Sequence, residues 1–290
     1  MSLFSIQPKT VLVVLFMLAV VVVMASLQYR AVSNLRSVEE TRVLVSDIQS
    51  NVLTLRRNEK DFLARKDDEY RDKFAKNHDV IHSNMQKLRS DLQQNDVEVS
   101  RTDELIEILA AYNEKFLSMV ELQREIGLNH RDGLHGRLQD DIRQVENILQ
   151  ALRHDRLIKD MLTLRGQEKD FMLRKDIEYV ENFDVAMTTM RSDLSKAYLD
   201  PRVKQDIATA LTSYERHFKA LASAAYQMGF SSNDGLHGEM RNIIHKGEDV
   251  LEQLRQDVLQ LESSAGNRML VQIIAFAIVL TIFMTILIRL

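Results

Sequence analysis

The sequence predicts an all-α protein, two stacked four-helix bundles flanked by two transmembrane helices. Three observations carry this. Apolar residues recur at helical spacing along charged runs that are poor in Gly and Pro. A sixteen-residue stretch occurs twice, LRRNEKDFLARKDDEY at Leu55–Tyr70 and LRGQEKDFMLRKDIEY at Leu164–Tyr179. Two uncharged apolar segments bracket everything else.

The first apolar segment, Thr10–Leu27, has 18 residues, and the second, Met269–Ile288, has 20. At 1.5 Å per residue they reach roughly 27 and 30 Å, enough to cross a bilayer core. The first is longer than the apolar stretch of an ordinary signal peptide, and Met24-Ala25-Ser26 is a poor cleavage site. Both are therefore read as spans. Residues 1–9 and 289–290 become tails on one side of the membrane. Each tail carries a single positive charge, Lys9 or Arg289, which places that side in the cytoplasm. Residues 28–268 lie on the other side, as a periplasmic domain of a multi-pass inner-membrane protein.

Removing Lys9 and Arg289 from the 38 basic residues leaves 36 against 42 acidic ones, so the middle carries a net charge of −6. That balance offers no basic surface for nucleic acid. The absence of Cys excludes disulfides and thiolate metal sites.

Within the middle, Val38, Val45, Ile48, Val52, Leu55 and Phe62 follow a 3-4 spacing. Gln93-Gln94-Asn95-Asp96 and Asp200-Pro201 read as turns. Asp132-Gly133 and Asp234-Gly235 read as helix starts with Asp as N-cap. Ser263-Ser264-Ala265-Gly266 reads as a softened approach to the second span. Dividing 241 residues into eight transits gives about 30 residues each.

The repeat runs well beyond its opening motif, over about 43–150 and 151–260. Arg89-Ser90-Asp91-Leu92 matches Arg191-Ser192-Asp193-Leu194, Tyr112 and Phe116 match Tyr214 and Phe218, and Glu146 matches Glu248. DGLHG occurs at Asp132–Gly136 and Asp234–Gly238. These later matches lie at an offset of 102, whereas the opening motif lies at 109. The second copy thus lacks seven residues between Tyr179 and Arg191. Seven residues are two helical turns, so the loss shortens a packed helix without rotating its buried face.

The 3-4 seam places Glu59 between Leu55 and Phe62, and Glu168 between Leu164 and Phe171. A carboxylate in an apolar seam needs a partner. Arg56 and Arg165 stand one turn before it, and Lys60 and Lys169 beside it. Arg57 is replaced by Gly166 in the second copy. Two readings stay open: an ion network that sets bundle register, and a polar ligand pocket between helices. Arg65-Lys66 and Arg174-Lys175 read as helix ends, where cations suit the dipole. His135 and His237 recur in the Gly-rich connections, as structural or ligand-sensing groups. His78 and His82 have metal spacing but lack a third ligand. No nucleophile motif, phosphate loop or metalloprotease helix occurs, so neither an enzyme nor a cofactor is expected.

On the duplicated LRxxEKDFxxRKDxEY and DGLHG segments between two spans, the chain resembles the helical bimodular sensor domain of bacterial transmembrane receptors. It looks most like a methyl-accepting chemotaxis protein, and similar domains serve some sensor histidine kinases. The resemblance implies two stacked four-helix modules that dimerise, and a small solute bound between helices. Members that bind dicarboxylates or acetate face arginines into that pocket, and the dicarboxylate binders present Arg at the first and fourth positions of one turn. Here Arg56 and Arg165 match the first position, while Glu59 and Glu168 stand at the fourth. An organic acid, amino acid or amine is the expected ligand class. The expected ligand contacts are Arg56, Arg57, Glu59, Lys60, Arg165, Glu168, Lys169, His135 and His237. Some relatives instead recognise a ligand-loaded periplasmic binding protein. Neither a linker module nor a kinase core follows the second span, so the chain reads as the sensor portion of a longer receptor, or alternatively as a natural truncation that modulates a partner. The alternative of another class is a membrane scaffold with no ligand.

Overall fold

The computed structural model describes residues 8–94 and 97–289, and every regular element in it is a helix. There are eight: α1 Pro8–Arg65, α2 Asp68–Gln94, α3 Ser100–Ile126, α4 Gly133–Leu152, α5 Asp155–Arg174, α6 Glu178–Lys196, α7 Pro201–Met228 and α8 Gly235–Arg289. Residues 1–7, Asn95-Asp96 of the first expected turn and Leu290 lie outside the described residues. The helices are not eight equal transits. Two are very long because the apolar segments continue them without a break, and α4, α5 and α6 have only 20, 20 and 19 residues.

α1 and α8 each contain an 18-residue window of mean hydropathy 1.9 and 1.8, with none of it buried in the protein. Both helices are long and apolar enough to cross a membrane. The softened approach at Ser263–Gly266 is not observed, because α8 runs straight through it. The serine hydroxyls satisfy themselves on the helix, Ser263 Oγ donating to Gln260 O and Ser264 Oγ to Leu261 O, both at 2.9 Å.

The chain divides into two compact units that do not coincide with the sequence repeats. The first holds the chain through Thr54, Asp79–Ile106 and everything from Glu248 onward. Its core is Val38, Val45, Ile48 and Val52 of α1, Ile81, Met85 and Leu88 of α2, and Leu251, Leu254 and Val258 of α8. Thr41 fills the missing seam position, buried with its hydroxyl donating to Ser37 O at 2.9 Å. Arg89 binds Asp103 at 2.7 Å between α2 and α3, and Arg101 binds Asp257 between α3 and α8.

The second unit holds Leu55–His78 and Glu107–Gly247. Within it α4 to α7 form a ring, α4 on α7, α7 on α6, α6 on α5 and α5 on α4. The repeat is visible as a duplicated aromatic cluster. Phe62 meets Phe116 edge-on at 5.7 Å, and Phe74 stacks on Phe116 at 3.8 Å. Phe171 and Phe183 do the same with Phe218, at 5.6 and 4.0 Å.

The seven-residue difference falls inside a helix, as expected. Phe74 matches Phe183 at the early offset, while Met85, Leu88 and Leu92 match Met187, Met190 and Leu194 at the late one. All eight side chains are buried. α6 therefore lacks two turns that α2 has, and its buried stripe stays in line.

Candidate functional site

The duplicated motif forms a helix corner in both copies. α1 ends at Arg65 and α5 at Arg174, and the next residues, Lys66 and Lys175, both take φ 53. Asp67 and Asp176 then cap the following helix, their Oδ1 atoms accepting from Glu69 N at 2.9 Å and Glu178 N at 3.0 Å. Arg65 lies over the Tyr70 ring at 5.4 Å and Arg174 over the Tyr179 ring at 5.8 Å. The second half of the duplicated polar pattern is thus turn chemistry.

The DGLHG segments are corners too, but not by the expected cap. Asp132 occupies the N-cap position of α4 without a side-chain cap bond. Its carboxylate takes a hydrogen bond from Asn129 Nδ2 instead, and the Asp234 carboxylate takes one from Ser231 Oγ at 2.7 Å. The glycines make these corners possible. A β-carbon on Gly136 would fall 2.1 Å from Arg131 O, and one on Gly238 would fall 2.2 Å from Asn233 O.

The two seam carboxylates are buried, Glu59 at 4% and Glu168 at 6% exposure. Each accepts a hydrogen bond from a buried tyrosine of the same copy, Glu59 from Tyr112 and Glu168 from Tyr214 at 2.6 Å. These tyrosines were legible as repeat markers but not as partners. Burial, and the carboxylate beside it, push the Tyr214 phenol up, so it stays a donor. Burial pushes the Glu168 carboxyl up, against the opposing pull of Tyr214, Arg165 and Lys169.

The copies then diverge. Lys60 Nζ folds back onto Glu59 Oε1 at 2.7 Å, so the first carboxylate has a phenol and an ammonium. Lys169 makes no hydrogen bond or ion pair among the described residues. Arg165 does not turn to Glu168; it binds Glu146 of α4 at 2.5 Å.

Between α4, α5 and the α1–α2 corner this leaves a cleft of about 610 Å³. Of the expected site residues, Arg165, Glu168, Lys169 and His135 line it. Lys66, Glu146 and Arg143, which the sequence reading did not single out for ligand contact, line it as well. The Lys66 side chain makes no hydrogen bond or ion pair among the described residues, and its ammonium is pulled down by burial and by Lys175. Burial and Lys66 push the His135 imidazole down, which favours its neutral form near pH 7.

Arg56, Arg57, Glu59, Lys60 and His237 do not line the cleft. Arg57 is exposed and Arg56 half-buried. His237 Nε2 is buried without a hydrogen-bond partner among the described residues, and burial pushes its imidazole down. His82 lies 2.9 Å from Gln86, and no cluster of three or more possible metal ligands occurs among the described residues.

A wider cleft of about 1360 Å³ lies between the ends of α3 and α7. Its main charges are already matched: Arg124 with Asp68 and Glu121, and Glu239 with Lys115. The smaller cleft is the better candidate because the ammonium groups of half-buried Lys66 and exposed Lys169 make no ion pair among the described residues, and an unpaired half-buried charge such as Lys66 is what a ligand can relieve. Neither a family model, a curated protein nor a solved structure matches the chain.

Proposed function

We propose that the protein is the ligand-sensing and membrane-signalling portion of a bacterial receptor of the chemotaxis type. In this reading the domain between the spans is periplasmic, built of two four-helix modules, and the receptor is a homodimer in the inner membrane. A small anionic solute, such as an organic acid or the carboxylate end of an amino acid, occupies the cleft at Glu168. The observation that carries the reading is the pair of unpartnered ammonium groups, Lys66 and Lys169, facing one cleft. Support also comes from the two helices that bound the domain, since both continue as apolar segments without a break.

Binding would favour one of two helix arrangements, because a ligand shifts an equilibrium by its differential contacts. The first copy has a separate role. Its carboxylate is closed by Tyr112 and Lys60, which suits register rather than binding.

The test is a thermal-shift screen of the full chain in detergent against organic acids, amino acids and amines. A hit raises the melting temperature saturably. Lys169→Gln should move the shift to higher ligand concentration and Lys60→Gln should leave it unchanged. A blank screen, or a hit whose concentration dependence is the same in Lys169→Gln, would sink the reading and favour a scaffold.

A further inference from the structure

Two helices enter the apolar segments, and only one of them reaches the cleft. Lys66 directly follows α1 and lines the cleft, while no lining residue belongs to α8. Lys66 also stands in the left-handed region, where Gly or Asn would make the same turn with less strain. Lys175 takes the same φ at the other corner but does not line the cleft, so the conformation belongs to the turn and only the Lys66 side chain has a use in the cleft.

The surroundings say what that use is. The turn itself is held by other groups, Asp67 capping α2 and Arg65 lying over Tyr70. The Lys66 ammonium is left for the cleft, which His135, Glu168 and Lys169 also line. Lys175, the equivalent residue of the other corner, lies near enough to disfavour its charge. Lys175 is the like charge that acts on Lys66, and the other charged side chains lining the cleft are Arg143, Glu146, Arg165, Glu168 and Lys169.

Resting on the anion-binding reading above, we infer that Lys66 is the contact through which an anion in the cleft acts on α1, and so on the first apolar segment. An anion beside Lys66 cancels the repulsion at the corner and draws the end of α1 toward α4 and α5. Arg65 and Lys66 are adjacent, so this pull is applied to the last turn of a 58-residue helix. Lys66 is a ligand contact that the sequence motif hides, because its neighbours are turn residues.

The chain has no cysteine, so Arg30→Cys, exposed past the first apolar segment, gives one labelling site. The full chain labelled there with a fluorophore, in nanodiscs, is titrated with acetate, succinate and inorganic phosphate. Binding is read separately by calorimetry. At least one probe should bind and change the emission. Lys66→Asn keeps a residue that tolerates the turn; it should weaken binding roughly ten-fold and abolish the emission change even at saturation. Lys66→Arg should restore both. Lys169→Gln should weaken binding but keep the full change at saturation. An emission change that persists in saturated Lys66→Asn, or binding without any change in the unsubstituted chain, overturns this inference and leaves anion binding standing. No binding of any probe to the unsubstituted chain overturns both.

Discussion

Tyr214 donates its hydroxyl hydrogen to Glu168 Oε2 at 2.6 Å, across 46 residues of chain, and both side chains are buried. Tyr112 does the same for Glu59 across 53 residues. The duplicated seam carboxylate is therefore half of a duplicated pair, and the pair is closed by a third group in one copy only. The consequences can be measured.

Tyr112→Phe and Tyr214→Phe each leave a buried carboxylate short of a donor, and each should destabilise by about 1–3 kcal/mol. Tyr214→Phe should be the worse of the two at neutral pH. Glu168 then has no hydrogen-bonding partner among the described residues, whereas Glu59 keeps Lys60 at 2.7 Å. Paired thermal melts rank them, and equal losses would mean that Lys60 contributes nothing.

Glu168 also sets a pH dependence. Its folded-state carboxyl is raised by burial. A carboxyl raised on folding binds its proton more tightly in the folded state, so its contribution to stability is full below the unfolded value and falls as pH rises toward the folded one. The fall should begin near pH 4.5, the ordinary value. Glu168→Gln keeps an acceptor for Tyr214 and removes the titration. It should flatten the melting temperature above that pH, and an unchanged profile would place the slope elsewhere.

Two glycines should respond in opposite senses. Gly136→Ala puts a methyl group 2.1 Å from Arg131 O and should cost several times the ordinary helix effect, roughly 3 kcal/mol or more. Gly166→Ala meets nothing within 4 Å inside α5 and should stabilise by about 0.5–1 kcal/mol. Calorimetry on the two single variants decides both.

Helix length gives a fourth check. One residue inserted between Val185 and Ala186 turns everything after it by about 100° and carries Met187, Met190 and Leu194 off the buried stripe. Seven residues restore the stripe with two added turns. The single insertion should lower the melting temperature far more than the longer one. Equal damage would mean that α6 cannot slide along its neighbours.

Much of the fold was legible because its determinants are local. Val45, Ile48, Val52 and Leu55 mark a buried face by spacing alone, and Arg65-Lys66-Asp67 marks a helix end by turn chemistry. The seven-residue gap could be placed in a helix because two turns preserve a face. Other features misled for equally local reasons. Asp132 looks like a side-chain N-cap, but Asn129 three residues back competes for its carboxylate. Ser263–Gly266 looks like a break, yet its serines bond back onto the helix and nothing crowds Gly266.

The sequence by itself determined the helical class, the duplicated register, the two apolar segments and the pair of buried glutamates, since each follows from spacing along one helix. Which glutamate lines a cleft was decided only by tertiary structure. Glu59-Lys60 and Glu168-Lys169 are identical dipeptides in matching seams. They differ because Lys60 folds onto its own glutamate, Arg165 is claimed by Glu146 of α4, and Lys66 arrives from a corner about a hundred residues away. A charged side chain takes the partner that its burial and its neighbours from distant helices leave available, and that competition is not encoded in local spacing.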